Sequence, residues 1–323
     1  MSGFAIGLAE IEAAAARMAG AVRRTPLLEA PLLNAAFGKR ILVKAECLQV
    51  TGSFKARGGW SAVSALPAGV RGVLAFSSGN HGQGVAWAAA RHGLSAVIVM
   101  PADAPAIKRE NIRAYGAEVV LYDRATESRE EIGARLCAER GLHLIRPYDD
   151  ADVIAGQGTV GLELAAQAAD LGVAEAEVLI CCGGGGLSAG IATALAARAP
   201  GLRPRSAEPE GFDDMARSLA AGTRLKNAQA AGSICDAILT PEPGELTFPI
   251  LRHYAGPGLA VSDAEVRQAM ALAFTHLRIV VEPGGAAALA AALFRDTSGT
   301  VIVTASGGNV DPALFRDVLA TEI

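Results

Sequence analysis

Lys55 is the first residue in this sequence whose type and surroundings predict chemistry. It lies in the segment 51–59, which is rich in small and apolar residues and follows a strand-like run at 41–46. A lysine held in apolar surroundings beside another cation loses part of its proton affinity, and its free amine is a nucleophile that forms an imine with a carbonyl. We expect Arg57 to supply that cation. Taken alone, the segment favours the alternative, an amphipathic helix start whose lysine extends into solvent.

Three glycine-containing motifs follow strand-like runs elsewhere in the chain. They are S-S-G-N-H-G-Q-G at 77–84, G-G-G-G-L at 183–187 and T-A-S-G-G-N at 304–309. Glycines at a strand-to-helix turn let backbone amides approach an anion, and the helix N-terminus adds partial positive charge. Four consecutive glycines are more than a tight turn needs, so 183–187 is predicted to bind a phosphate. The alternative is a turn without a ligand.

In residues and order, the segment around Lys55 and these three motifs resemble the fold-type II pyridoxal-phosphate enzymes, and within them the serine/threonine dehydratase and serine racemase branch. The resemblance covers nearly the whole chain. It implies a two-lobe α/β fold of the tryptophan synthase beta type, with parallel-rich sheets flanked by helices and the cofactor in the cleft between the lobes. We expect a discontinuous large cofactor-binding domain at 1–70 and 149–323, a small substrate-side domain at 71–148, and no regulatory domain.

The apolar pattern is consistent with that fold. From residue 72, short strand-like runs alternate with helical stretches, which is typical of a parallel sheet covered on both faces. The runs lie at 72–76, 96–100, 117–122 and 143–145. In the second lobe we expect a restart at 156–159, a helix at 160–169, and a proline-rich irregular loop at 222–260 that is functional or an oligomer contact.

The resemblance also assigns the cofactor and its contacts. Pyridoxal 5′-phosphate is expected on Lys55, with its phosphate on the glycine loop and its ring hydroxyl at Asn80. Ser306 is expected at the ring nitrogen, where a hydroxyl donates to a neutral nitrogen, weakens the ring as an electron sink and favours elimination. The implied cofactor-binding residues are Phe54, Lys55, Asn80, Gly183, Gly184, Gly185, Gly186, Leu187, Glu282 and Ser306.

Catalysis and substrate binding are assigned in the same way. Lys55 and Ser78 are implied as catalytic residues on opposite faces of the cofactor. Arg129 matches a position that contacts substrate carboxylates in the racemase, although a solvated arginine on a helix face is an equal alternative. The implied substrate-binding residues are Ser77, Ser78, Asn80, His81 and Arg129.

A separate group of residues predicts a cation site. The side chains of Glu208 and Asp214 and the backbone carbonyl of Phe212 match the ligands that hold a divalent cation in serine racemases and some dehydratases. Hard oxygen ligands suit Mg²⁺ or Ca²⁺. The alternative is that Asp213 or Asp214 caps the helix that follows.

The implied activity is that of a dehydratase, or ammonia-lyase, that converts L-threonine or L-serine to the 2-oxo acid and ammonia. An aromatic residue at Tyr148 favours a dehydratase, whereas Gly284 replaces the usual serine or threonine. Four alternatives stay open: a racemase with Lys55 and Ser78 as its two bases, a dehydratase specific for 3-hydroxyaspartate, a β-replacement enzyme, and a non-catalytic cofactor carrier or sensor.

Composition limits the classes of partner and compartment. The chain has 323 residues, of which 51% are apolar, and a net charge of −4 with both signs scattered, so a nucleic-acid partner is not expected. Five cysteines without a C-x-x-C pair argue against a disulfide framework or a zinc site. No signal peptide or membrane-spanning run is recognised, which favours the cytoplasm. The expected partner is a small amino-acid substrate, in a homodimer or homotetramer.

Overall fold

The computed structural model describes residues 3–77, 79–102, 104, 106–123, 125–297 and 299–322. Within these ranges the chain forms two sheets with helices packed against them. Among the helices described, none is both long enough and apolar enough to cross a membrane.

The strands, in chain order, are β1 (Leu27–Glu29), β2 (Arg40–Lys44), β3 (Gly72–Phe76), β4 (Ser95–Pro101), β5 (Glu118–Tyr122), β6 (Leu142–Leu144), β7 (Ala176–Cys181), β8 (Leu202–Pro209), β9 (Leu259–Val261) and β10 (Thr300–Thr304). The α-helices are α1 (Leu8–Arg17), α2 (Pro31–Phe37), α3 (Lys55–Ser64), α4 (Asn80–Arg91), α5 (Ala106–Ala114), α6 (Arg129–Arg140), α7 (Ala151–Asp170), α8 (Gly186–Arg198), α9 (Asp214–Ala221), α10 (Thr247–Tyr254), α11 (Asp263–Leu272), α12 (Pro283–Phe294) and α13 (Pro312–Glu322).

The two sheets are almost entirely parallel. The first has the order β1-β2-β10-β7-β8-β9 and the second the order β5-β4-β3-β6. Only β1, paired with β2, runs antiparallel to its neighbour in these described sheets. This arrangement confirms the expected α/β fold with parallel-rich sheets. The four-stranded sheet uses residues from within 71–148, while the exact domain boundaries stay a prediction.

Helices α3 and α4 touch backbone to backbone. A Cβ atom on Gly59 of α3 would lie 2.6 Å from the carbonyl carbon of Gly84 in α4, and a Cβ on Gly84 would lie 2.5 Å from the carbonyl oxygen of Lys55. Real Cβ atoms do not approach other atoms so closely, so both positions need glycine. The contact sets the first turn of α3, which carries Lys55, beside the first turn of α4.

Helix α7 begins earlier than the sequence predicted. We expected a restart at 156–159 and a helix from 160, but the helix begins at Ala151, where the Asp150 side chain accepts hydrogen bonds from the first-turn amides of Asp152 and Val153 at 3.0 and 3.2 Å. Gly156 and Gly158 lie inside the helix. A Cβ on Gly156 would be 2.7 Å from the Arg57 carbonyl oxygen, so close helix packing, and not a turn, explains this glycine.

The segment 222–260 is more regular than predicted. It contains α10 and β9 as well as a short 3₁₀ turn, Asp236–Ile238. Pro249 lies in the first turn of α10, where an amide has no partner within the helix, so proline does not interrupt it. The expectation of one irregular loop over the whole range is therefore wrong.

A buried group of charges ties β2, α3 and α7 together. Arg57 donates to Glu46 at 2.8 Å and to Glu163 at 2.7 Å, and Lys44 donates to Glu163 at 2.5 Å. Lys44, Glu46 and Arg57 are fully buried. The two positive and two negative charges of this group cancel, and charged side chains are tolerated in a protein interior when they are paired in this way.

Candidate active site

One cavity of about 740 Å³ brings together the residues predicted to bind cofactor and substrate. Its volume lies within the range of small-molecule sites. Ser78 lies outside the described residues, so nothing is said of its place. The predicted residues that line the cavity are Phe54, Lys55, Ser77, Asn80, His81, Arg129, Gly183, Gly184, Gly185, Gly186, Leu187, Glu282 and Ser306.

Lys55 is the first residue of α3, and its side chain is half-buried in this cavity. Its Nζ donates to the carbonyl oxygen of Pro147 at 2.6 Å and lies 5.1 Å from the centre of the Phe54 ring. Burial lowers the pKa of Lys55 from 10.5 to about 8. The free amine that a nucleophile needs is therefore present in a much larger fraction at neutral pH than for a lysine in water.

The predicted contribution of Arg57 to this pKa is wrong. The Arg57 guanidinium donates to the carboxylates of Glu46 and Glu163, which neutralise it. Burial alone accounts for the lowered pKa of Lys55. Sequence separation suggested proximity, but residues two apart on a helix point to different sides.

Asn80 is the first residue of α4 and belongs to a chain of amide and carboxylate contacts. Its Nδ2 donates to Glu282 Oε1 at 2.5 Å, and its Oδ1 accepts from Asn309 Nδ2 at 2.7 Å. Ser77, in the same loop, accepts a hydrogen bond from the amide of Gly79 at 3.1 Å. The loop 77–81 is thus joined directly to the segment that follows β10.

His81 is buried and neutral. Its Nε2 lies 3.0 Å from the carbonyl oxygen of Ile145, which can only accept, so Nε2 carries the proton. Burial, together with the nearby charge of Lys55, lowers the pKa of His81 to about 3. At neutral pH His81 therefore donates a fixed hydrogen bond, and it is not an imidazolium that could act as a general acid.

The glycine loop joins β7 to α8, as the sequence predicted. Gly185 has a φ of 93°, a left-handed conformation that favours glycine. A side chain on Gly184 would overlap the ring of Tyr148, and one on Gly183 would approach the Ile238 carbonyl oxygen to 3.0 Å. The first amides of α8 have no carbonyl partner within the helix. A backbone without side chains at a helix N-terminus fits a phosphate group.

Ser306 and Glu282 also line the cavity. Ser306 follows β10 and is buried, and its carbonyl oxygen accepts from the amide of Phe54 at 3.1 Å. Glu282 is buried beside Gly307, where a Cβ atom would overlap the carboxylate. Glu282 thus contacts Asn80, and Ser306 contacts Phe54, the neighbour of Lys55.

Three arginines line the cavity, and the sequence analysis identified only Arg129. Arg129 pairs with Glu130 at 2.7 Å, and Arg224 pairs with Glu242 at 3.3 Å. Arg146 is exposed and makes no ion pair within the described part of the chain. The position of Arg146 two residues after β6, at the carboxyl end of a parallel strand, was a signal that could have identified it.

The residues predicted to bind a cation lie behind the glycine loop and outside this cavity. Glu208, at the end of β8, accepts from the amides of Met215 and Ala216 at 2.9 and 2.8 Å. Asp214 Oδ1 accepts from Asn227 Nδ2 at 2.6 Å. Its Oδ2 is buried and has no hydrogen-bond partner in the described structure.

Burial raises the pKa of both carboxylates. That of Glu208 lies well above its ordinary value, and that of Asp214 rises to about 6. No described cluster of three or more His, Cys, Asp or Glu side chains has the arrangement of a metal site, and the predicted set has only two such side chains plus the Phe212 carbonyl. The unpartnered, buried oxygen of Asp214 nevertheless fits a cation.

The helix-capping alternative takes a different form from the one expected. Asp213 occupies the N-cap position of α9, but its side chain makes no capping bond. Glu208 bonds the first-turn amides instead, from a neighbouring strand.

Comparisons with known proteins agree with one another. The model of the family described as pyridoxal-phosphate dependent enzyme matches residues 18–307. The chain is 42% identical to an L-threo-3-hydroxyaspartate ammonia-lyase of Pseudomonas sp, over 95% of this chain and 96% of the relative. It is similar to the crystal structure of a threonine deaminase from T.th., with 48% sequence identity and a TM-score of 0.90 over 95% of this chain and 99% of that one. It is also similar to the structure of maize serine racemase, with 36% identity and a TM-score of 0.91 over 98% of each chain.

We expect the reactivity of Lys55 to follow its lowered pKa. Because the folded value is about 8, acetylation of Lys55 in the cofactor-free protein should rise with a midpoint near pH 8, against about 10.4 for a lysine in a peptide. Between these values the unfolded chain binds more protons, so this group makes the free energy of unfolding increase with pH. Competitive labelling followed by mass spectrometry measures the midpoint. A midpoint above pH 10 would contradict the buried environment described for the amine.

Proposed function

This chain belongs to the pyridoxal-phosphate dependent enzymes, in the serine/threonine dehydratase and serine racemase branch, and from that premise we propose that it is an ammonia-lyase that converts a 3-hydroxy amino acid into the 2-oxo acid and ammonia. The observation that carries the proposal is the cavity that joins the half-buried amine of Lys55 to the glycine loop 183–186. Such a cavity fits a carbonyl cofactor with a phosphate group.

Within this proposal, each part of the chain has a defined task. Pyridoxal phosphate supplies an electron-accepting ring that stabilises negative charge on the substrate α-carbon. Lys55 holds the cofactor and, once released, removes the α-proton, for which its lowered pKa is suited. The glycine-loop amides hold the phosphate. Asn80 and Ser306 are proposed to contact the ring, with Phe54, Leu187 and Glu282 around them.

The loop 77–81 is proposed to hold the substrate carboxylate. Ser77 and His81 are already fixed by bonds to Gly79 and to Ile145, so their groups are held in place before substrate arrives. Ser78 is proposed as a second proton-transfer residue on the opposite face. If Ser78 returned a proton to that face faster than water is eliminated, the enzyme would act as a racemase.

We propose 3-hydroxyaspartate as the preferred substrate. Arg146 supports this choice, because it is a cavity-lining cation without an ion pair in the described residues, one position from the Pro147 carbonyl that accepts from Lys55. A second carboxylate on the substrate would pair with it. Arg129 would give the substrate carboxylate a second contact if its ion pair with Glu130 were broken. The relative from Pseudomonas, an L-threo-3-hydroxyaspartate ammonia-lyase, is in line with an acidic substrate.

L-Threonine and L-serine form the second candidate class. The Tyr148 ring, packed against Gly184, gives the cavity an apolar wall that suits a methyl group or a hydrogen at the β-carbon. The similarity to threonine deaminase favours the same class.

A substrate panel separates these candidates. Holoenzyme is incubated with L-serine, L-threonine and L-threo-3-hydroxyaspartate, and 2-oxo acid, ammonia and the enantiomers of recovered substrate are measured. We expect ammonia and 2-oxo acid in equal amounts, with the highest kcat/KM for 3-hydroxyaspartate. Arg146→Leu should raise KM for that substrate about tenfold or more, equivalent to roughly 1.4 kcal/mol, and leave serine and threonine nearly unchanged.

Arg71→Leu is the matched control, since Arg71 is exposed and does not line the cavity. An Arg146→Leu effect of equal size on all three substrates would reject the carboxylate contact. Racemised substrate without ammonia would reject the lyase proposal and favour the racemase.

We further propose that Glu208, Asp214 and the Phe212 carbonyl bind Mg²⁺ or Ca²⁺. The support is the pair of buried carboxylates, one of which leaves an oxygen without a partner in the described structure. A cation would compensate this buried negative charge.

The cation should stabilise the folded protein. After EDTA treatment, a hundredfold excess of Mg²⁺ or Ca²⁺ over Kd adds about 2.7 kcal/mol, because only the native state offers the site. Differential scanning calorimetry should show a higher Tm, and Asp214→Asn should remove the response. Asp213→Asn is the control, since Asp213 bonds Arg217 at 3.3 Å and is not a proposed ligand. An unchanged Tm in wild type would reject the site.

The two sheets are also proposed as the cores of two domains. The four-stranded sheet would form the small domain at 71–148, and the six-stranded sheet the large domain built from 1–70 and 149–323.

A further inference from the structure

Asn227 connects the proposed cation site to the wall of the cavity. Its Nδ2 donates to Asp214 Oδ1 at 2.6 Å and to the Thr240 carbonyl oxygen at 2.8 Å, and its backbone amide donates to the Pro241 carbonyl oxygen at 2.8 Å. Thr240 and Pro241 both line the cavity. A carboxylate behind the glycine loop is therefore two hydrogen bonds away from the cavity surface.

The orientation of the Asn227 amide is fixed by Arg217. Arg217 Nη2 donates to Asn227 Oδ1 at 2.5 Å, and because a guanidinium only donates, the amide oxygen must face it. The amide nitrogen then faces Asp214 and Thr240, and its two hydrogens match the two acceptors. An aspartate at 227 would present oxygen to both acceptors, and an alanine would leave both without this donor.

The segment that Asn227 holds packs directly on the glycine loop. Gly184 accepts hydrogen bonds at its carbonyl oxygen from the Gly244 amide at 3.1 Å and from Thr247 Oγ1 at 2.6 Å. Asp149, from the other side, accepts from the Leu246 amide at 2.7 Å. The position of the segment 238–247 and the position of the proposed phosphate-binding loop are therefore linked.

The other carboxylate of the cation site makes no such link. Glu208 accepts hydrogen bonds from the amides of Met215 and Ala216 and from the Ser206 hydroxyl, and none of these three residues lines the cavity. Among the hydrogen bonds of the two carboxylates in the described structure, only the one that Asp214 accepts from Asn227 continues to a residue that lines the cavity.

We infer that Asn227 is a positioning residue that couples the proposed cation site to the cofactor cavity. A divalent cation on Asp214 would fix that carboxylate, Asn227 would fix Thr240 and Pro241 relative to it, and the segment 238–247 would be held against the glycine loop. The inference rests on the proposed cation site. Because coupling between two binding sites is reciprocal, the cation should tighten cofactor binding and the cofactor should tighten cation binding by the same factor.

The test measures that factor directly. Cofactor-free protein is titrated with pyridoxal phosphate by absorbance, with EDTA and with saturating Mg²⁺, and Mg²⁺ binding is measured by calorimetry with and without the cofactor. In wild type we expect Mg²⁺ to lower the Kd for pyridoxal phosphate about tenfold, a typical coupling. In Asn227→Ala, the ratio of the pyridoxal phosphate Kd in EDTA to the Kd in Mg²⁺ should fall to within about twofold of one, while Mg²⁺ still binds.

Two further variants make the result specific. Lys226→Ala is the matched control, since this neighbouring exposed side chain makes only a long ion pair with Glu242 at 3.6 Å, and it should keep the wild-type ratio. Asn227→Ser replaces the two amide hydrogens by one hydroxyl hydrogen, which serves one acceptor at a time, so it should lose most of the coupling. It also provides a smaller perturbation should the alanine variant not fold.

The outcomes separate the inference from the function on which it rests. If Mg²⁺ binds wild type and the cofactor Kd does not change, the coupling is rejected and the cation site stands. If both Asn227 variants keep the wild-type ratio of cofactor Kd values, Asn227 is rejected as the residue that couples the two sites. If calorimetry detects no Mg²⁺ or Ca²⁺ binding, the cation site and the coupling are rejected together, while the lyase proposal is unaffected.

Discussion

The backbone contact between α3 and α4 is the constraint on which the cavity depends. Gly59 and Gly84 let the two helices approach to a distance that any side chain would prevent, and the first turns of these helices carry Lys55 on one side and Asn80 and His81 on the other. Close-packed interiors transmit small displacements, so a separation of the helices would move the amine away from the loop that faces it. The glycine at Gly156 extends the same kind of contact from α3 to α7.

Charge is distributed so that the amine of Lys55 is affected by burial and not by a neighbouring cation. Arg57 is neutralised by Glu46 and Glu163, and burial keeps His81 neutral while its Nε2 donates to the Ile145 carbonyl. Two buried carboxyl groups, Glu208 and Asp214, lie behind the glycine loop, and burial raises the pKa of each because it disfavours the charged form. The cavity and the proposed cation site are thus separate electrostatic environments on two sides of the glycine loop.

Local pattern was sufficient to predict much of the fold and the composition of the cavity. The strand β3 was predicted with the bounds that the structure shows, because a short apolar run bounded by glycine-rich turns has a distinct pattern. The start of α7 was misjudged because the glycines at 156 and 158 indicate a turn unless the helices packed against them are known. Arg57 and Asn227 show a second limit: their contacts join residues far apart in sequence, at 163 and 240, and no local pattern encodes which partner a side chain meets.

The central claim is that Lys55 is the residue that carries the cofactor, and reduction of the holoenzyme with borohydride followed by peptide mass spectrometry tests it most directly. The account predicts that the peptide containing Lys55 gains the mass of the reduced pyridoxyl phosphate group. It also predicts that Lys55→Ala folds normally, loses the label, and loses turnover by several orders of magnitude, because both the attachment point and the base are removed. A label on a different lysine, or near-normal turnover in Lys55→Ala, would contradict the account.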